Sequence, residues 1–127
     1  MPHTVSTGVL TREPGTISAV VNLANVDKRH ANSVTVEILD WSNYSNPVAL
    51  PVLIGENDPV LFPYSLAPQN LAVMYADLDE VVSLYEIRIT YSKEKNIIIN
   101  TFGRSVPPYT SQEGNTVYHN QLVRVNP

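Results

Sequence analysis

Ten prolines punctuate this chain of 127 residues, at positions 2, 14, 47, 51, 59, 63, 68, 107, 108 and 127. Each removes a backbone donor and fixes φ, so long helices have little room. Apolar residues at the helical spacing i, i+3, i+4, i+7, free of proline and β-branched side chains, are almost absent. Met74 to Val81 is the one fair candidate for a helical turn.

The segments between the prolines alternate instead. Tyr85, Ile87, Ile89 and Tyr91 point one way and Glu86, Arg88 and Thr90 the other, which is the period-two pattern of a strand with one buried and one wet face. Val34, Val36 and Ile38 form a second inward row, and Ile17, Ala19, Val21 and Leu23 a third. Asn96 to Phe102 carries three consecutive isoleucines and reads as a strand covered on both faces. Thr116 to Val125 reads as a last strand, with a bulge where alternation breaks near Gln121-Leu122-Val123.

Val48 to Ile54, Val60 to Tyr64 and Asn70 to Tyr75 are weaker strands, and Pro51 and Pro63 demote the first two to edges. Polar turns fall at Asp27 to Asn32, Gly55 to Asp58 and Ser92 to Asn96, and a long loop runs from Arg104 to Asn115. About eight strands at roughly ten-residue spacing predict an all-β, antiparallel β-sandwich, jelly-roll-like in its strand count. An immunoglobulin-like sandwich is the alternative, without its Cys…Trp…Cys signature. Trp41 is expected to plug the core.

The N-terminal residues 1–13 read as a separate extended arm before a Pro14-Gly15 turn, with the sandwich at 14–127. Within the arm, residues 4–11 are strand formers with no obvious hairpin partner. Two readings stand: an ordinary first strand, or a donor strand that pairs with the open edge of the next subunit. Repeated head to tail, such a contact builds a filament. Val5, Val9 and Leu10 would then plug the neighbour's groove, Gly8 would let the arm bend, and Pro14 and Gly15 would form the hinge.

Only 16% of residues are charged, the net charge is −4, and Lys28-Arg29-His30 is the one cationic cluster. Nucleic acid and anionic membrane surfaces, which need a basic stripe, are not expected partners. The absence of cysteine removes disulfides, thiolate catalysis and most structural zinc sites. No secretion signal opens the chain, and no apolar run is long enough to span a membrane.

No constellation for catalysis stands out. His3, His30 and His119 are not at metal-ligand spacing, and no metal or cofactor is expected. Asp77-Leu78-Asp79-Glu80 gathers three carboxylates, but no spaced oxygen-ligand pattern follows, so a solvated loop is the plainer reading. Asp40, Glu37 and Glu86 cannot be paired across a cleft from sequence, and charges on the wet face are expected to meet Arg88, Arg124 or Lys28. Of the seven tyrosines, Tyr44, Tyr64 and Tyr109 fall in or beside loops, where a sugar-stacking platform would lie.

Three pieces of the chain carry a resemblance. They are Val21 to Asp27 with Ser33 to Trp41; Asn46 to Val52; and Tyr85 to Thr90 with Asn100 to Arg104 and Gln121 to Val125. Together they resemble small β-sandwich subunits of endospore appendage fibres from Bacillus-type bacteria. The resemblance implies a jelly roll whose N-terminal arm joins neighbouring subunits. It also implies an extracellular place on the spore surface or exosporium, with copies of itself, a surface anchor and a tip protein as partners. The best-known members of that family staple neighbours through cysteines in the arm; any fibre of a chain without cysteine must hold by strand pairing and burial alone, which points to a cysteine-free fibre type or to a non-fibrous coat protein. The expected function is a self-assembling structural subunit and not an enzyme. A carbohydrate- or protein-binding sandwich acting through its loop aromatics is the alternative.

Overall fold

A computed structural model describes residues 2–92, 96–105 and 111–125. Thirteen strands lie among them: β1 (His3–Ser6), β2 (Leu10–Thr11), β3 (Thr16–Asn25), β4 (Asn32–Asp40), β5 (Val48–Leu50), β6 (Leu53–Ile54), β7 (Asp58–Pro59), β8 (Tyr64–Leu66), β9 (Leu71–Asp77), β10 (Leu84–Tyr91), β11 (Ile97–Ser105), β12 (Ser111–Val117) and β13 (Val123–Val125). They form two sheets in which every described pairing is antiparallel. The first runs β13-β1-β10-β4-β5, with β2 beside β10 and β8 beside β4; the second runs β12-β11-β3-β9-β6-β7. The protein is an all-β sandwich with more strands than the eight expected.

The inward rows read from the sequence meet in one core. Val34, Val36 and Ile38 of β4 and Tyr85, Ile87, Ile89 and Tyr91 of β10 face Ala19, Val21 and Leu23 of β3, Met74 of β9 and Ile97 and Ile99 of β11. Burying each large aliphatic side chain stabilises the fold by about 1.5–3 kcal/mol before the entropy of ordering is counted.

Five expectations change. The segment from Thr116 does not run on as one bulged strand. It leaves the second sheet after Val117, turns through a 3-10 helix at His119–Gln121, and enters the first sheet as β13. The broken alternation near Gln121 marks this change of sheet. Pro51 marks another, since β5 and β6 on either side of it belong to different sheets. Met74 belongs to strand β9, not to a helical turn. Trp41 is not a core plug: it sits half-buried beyond the end of β4 and donates its indole N–H to Glu86 Oε1 at 2.9 Å.

The fifth concerns Ile98. Ile97 and Ile99 point into the core, but Ile98, between them, is 46% exposed on the outer face of the second sheet. The described chain covers it only in part.

Tyr85 is fully buried, and its hydroxyl meets no hydrogen-bond partner among the described residues. Burial pushes its pKa well up, with Arg12 opposing and Glu13 reinforcing the shift. Tyr85→Phe should therefore leave stability unchanged or raise it by about 1 kcal/mol. Thermal unfolding checks this; a loss above about 1 kcal/mol would reveal a partner for the hydroxyl.

Candidate subunit-contact site

Residues 2–13 are not a free extension in this structure. Thr4 and Ser6 suit a wet face and Val5 a core face, and that alternation lets β1 fit between two strands of the first sheet. Along one edge it pairs with β10, from His3↔Tyr91 to Ser6↔Arg88; along the other it pairs with β13, from Thr4↔Val125 to Ser6↔Val123. Val5 joins the core, and Leu10 packs half-buried against it. The short β2 pairs Leu10 with Tyr85 and Thr11 with Leu84.

The pairing with β10 continues to Thr7, whose N–H donates to Ile87 O at 3.0 Å and whose hydroxyl accepts from Ile87 N–H at 3.1 Å. Gly8 and Val9 then stand clear of the sheet. Gly8 has φ +72°, a left-handed conformation that suits glycine, and a Cβ there would meet nothing within 4 Å. Val9 is 50% exposed, so it plugs nothing in its own subunit.

The expected hinge at Pro14-Gly15 is instead a fixed turn. Buried Asn115 accepts the Glu13 N–H at 2.7 Å and the Thr16 hydroxyl at 3.3 Å, and donates to Thr11 O at 2.8 Å. Arg12 donates from Nε to Thr16 O at 2.8 Å, and the Gly114 N–H donates to the Glu13 carboxylate at 2.9 Å. Residues 11–16 are thereby bolted to β12, and Pro14 and Gly15 line only an open cleft of about 340 Å3 beside Glu80 and Ser83. The boundary expected after residue 13 lies inside the domain. Sequence reading missed Asn115 because an asparagine in a loop carries no mark of burial.

Beside β1 on the outer face lies Glu86, only 4% exposed. Its carboxylate accepts from the Ser6 hydroxyl, from Arg88 Nε at 2.9 Å and from the Trp41 indole. Ser6 Oγ in turn accepts the Gly8 N–H at 2.8 Å. Burial alone would raise the Glu86 pKa. The hydrogen bonds from Arg88, Ser6 and Trp41, with the Arg88 charge, outweigh it and hold the carboxyl below its ordinary 4.5. Thr4 and Thr90 bring their hydroxyls to 2.9 Å across the same strand pair. The pairing of Arg88 with a wet-face carboxylate is as expected, with Glu86 the partner.

The loop tyrosines are not brought together. Tyr44, 81% exposed, follows the Asp40 end of β4, where Asp40 pairs with Val48. Tyr64 pairs with Val34 near the other end. Six residues of strand separate the two ends, roughly 20 Å. Tyr109 lies outside the described residues. The carboxylates of residues 77–80 gather no metal-ligand group: none of three or more His, Asp or Glu occurs among the described residues. His119 is exposed in the 3-10 turn, where its Nδ1 accepts the Ile99 N–H at 3.0 Å.

No protein-family model and no characterised protein matches the chain. A crystal structure from Thermotoga maritima has a similar backbone course, at 12% identity and a TM-score of 0.45, over 91% of this chain and 93% of that one.

Proposed function

We propose that this protein is a structural subunit that self-assembles into a fibre on a spore or cell surface by exchanging β1 between neighbouring subunits. The observation that supports the reading is the seating of β1. It satisfies two strand edges at once, yet joins the rest of the domain through the exposed Gly8-Val9 link. The slot between β10 and β13 accepts β1 from a neighbour with the same hydrogen bonds and the same Val5 anchor. The donor is then residues 2–9, with Gly8 as its hinge, in place of an arm of thirteen residues hinged at Pro14-Gly15. One-way exchange does not close and propagates a filament.

In this reading the partners are copies of the chain, with an anchor and a tip protein at the two ends of the fibre. The resemblance to endospore appendage subunits supports a place outside the cell, on the spore surface. The reading is non-catalytic: the best-sheltered carboxylate, Glu86, is held by three side-chain donors and has no partner carboxylate to share chemistry with.

Negative-stain electron microscopy of the full chain beside a variant lacking residues 2–9 tests this. Fibres are expected from the first and none from the second. Single particles from the full chain at every concentration would count against it.

A further inference from the structure

The outer faces of the two sheets differ in kind. That of the first carries charge across its middle, with Glu86, Arg88 and Glu37 among Thr4, Ser6, Thr35 and Thr90, and has Leu39 and the edge residues Val123 and Val125 as apolar members. That of the second is uncharged over three of its four rows and mainly apolar in two of them, and the registers lay it out in level rows across β11, β3 and β9. Ile98, Ala24 and Leu71 form the first row; Asn100, Asn22 and Val73 the second; Phe102, Val20 and Tyr75 the third. Arg104, Ser18 and Asp77 form the fourth, which holds the only charged side chains in these four rows. Val20 is fully buried between Phe102 and Tyr75, whereas Leu71 at 62% and Ile98 remain exposed.

We infer that this face pairs with the same face of a second copy, about a two-fold axis running along β3. Such an axis turns β11 of one copy over β9 of the other and keeps the rows level. Ile98 then meets Leu71 of the second copy, Phe102 meets Tyr75, and Arg104 meets Asp77. Each contact is made twice, as an isologous interface requires. The charges fall on opposite signs at both ends of the row, and the apolar rows meet without a charge to desolvate. In the free subunit the Arg104 guanidinium rests 5.4 Å from the centroid of its own Tyr75 ring; in the pair it lifts to the facing Asp77.

With strands ~4.8 Å apart and ~3.4 Å per residue, the six-stranded face spans on the order of 600 Å2 before side-chain relief is counted. That is below the roughly 800 Å2 per partner of a standard interface and above the roughly 500 Å2 per partner that a specific one needs. Two sandwiches stacked this way place their sheets about 10 Å apart, as sheets pack within a core. The pairing uses neither β1 nor its slot, so it is independent of strand exchange.

Sedimentation velocity over a range of concentrations tests it on the full chain and on two single charge reversals, Arg104→Glu and Asp77→Arg. Wild type is expected to show a dimer unit. Each reversal sets like charges together twice and should weaken dimerisation by about tenfold or more. Mixed in equal amounts, the two reversals should associate again, because Glu at 104 then meets Arg at 77 and Asp77 meets Arg104. That recovery cannot come from misfolding. Leu71→Lys, at an exposed site whose side chain the fold does not need, should also be monomeric. A wild type without dimers, or reversals that dimerise as well as wild type, or a mixture that stays monomeric, would each overturn the inference. Fibres lost with dimers kept would speak only against β1 exchange.

Discussion

Ile87→Ala should destabilise the protein by about 2–5 kcal/mol, near the upper end for a single core truncation. Ile87 is fully buried at the middle of β10. Its strand is the only described link between β1 and β4: Thr7 bonds its backbone on one side, and Ile38 is its register partner on the other. The lost methyl groups leave a cavity, and strands held on both edges cannot close over it. A domain of this size has a total stability of about 5–15 kcal/mol, so the variant should be marginal. Chemical denaturation should show a lower midpoint with an unchanged slope. Ile87→Val removes one methylene and should cost only about 0.5–1.5 kcal/mol. Equal losses from the two variants would mean that the site relaxes, and the packing account would be wrong.

Glu86→Ala is the second large effect, at about 2–4 kcal/mol. The side chain gathers donors from three places: Ser6 on β1, Arg88 on its own strand and Trp41 beyond β4. Removing the carboxylate leaves the Ser6 hydroxyl and the Trp41 N–H without their acceptor. Arg88 is more than a third exposed, so water takes over part of its loss, and the estimate is kept below the full cost of breaking a buried pair. Because Ser6 also accepts the Gly8 N–H, the same change should loosen β1 at its hinge. Hydrogen exchange at residues 4–7 should then speed up more than at β3.

The acid limb of stability follows from the same carboxyl. Its folded pKa lies below the ordinary 4.5, so its contribution is fully present above that value and is lost as pH falls through the folded pKa. Asp27 acts in the same direction. Backbone N–H groups of Arg29 and His30 bring it from 3.8 to about 2, so its contribution fades between about pH 4 and 2. Stability should fall below pH 4.5, and in Glu86→Ala the upper part of that fall should flatten. A variant whose acid limb matches wild type would show that Glu86 titrates alike in the folded and unfolded chain.

The parts of the fold legible in the sequence are those where one side of a strand is dry and the other wet. β4 and β10 show that alternation, and their inward rows meet Ala19, Val21 and Leu23 of β3 in the core as the pattern requires. Changes of sheet were not legible. A chain that crosses from one sheet to the other breaks its alternation just as a bulge does, and Gln121 to Val123 carried no sign to separate the two. Trp41 was misplaced because a large aromatic favours the core unless its N–H has a better offer, here the Glu86 carboxylate from another strand. Ile98 gave the most informative mismatch. Three isoleucines in a row describe a strand dry on both faces, and the single chain dries only one. The missing cover is what a second copy supplies in the proposed pairing.

At the candidate site, the strand-forming character of residues 4–11 was legible, and Val5 and Leu10 lie in β1 and β2 on either side of Gly8 and Val9. The fixing of the turn at Pro14-Gly15 was not, because it depends on Asn115, a hundred residues away. Proline and glycine mark a turn equally well whether it swings or is bolted down.

Strand exchange is the central claim, and the native chain offers a clean background because it has no cysteine. Thr4→Cys and Thr90→Cys, introduced together, place two thiols on facing positions of β1 and β10 whose wild-type hydroxyls lie 2.9 Å apart. The assembled double variant is oxidised and run on a denaturing, non-reducing gel. If β1 belongs to a neighbour, each disulfide joins two chains, and a ladder of covalent multimers appears and collapses on reduction. A single band of internally bridged monomer, from protein that had formed fibres, would place β1 in its own subunit and contradict the account.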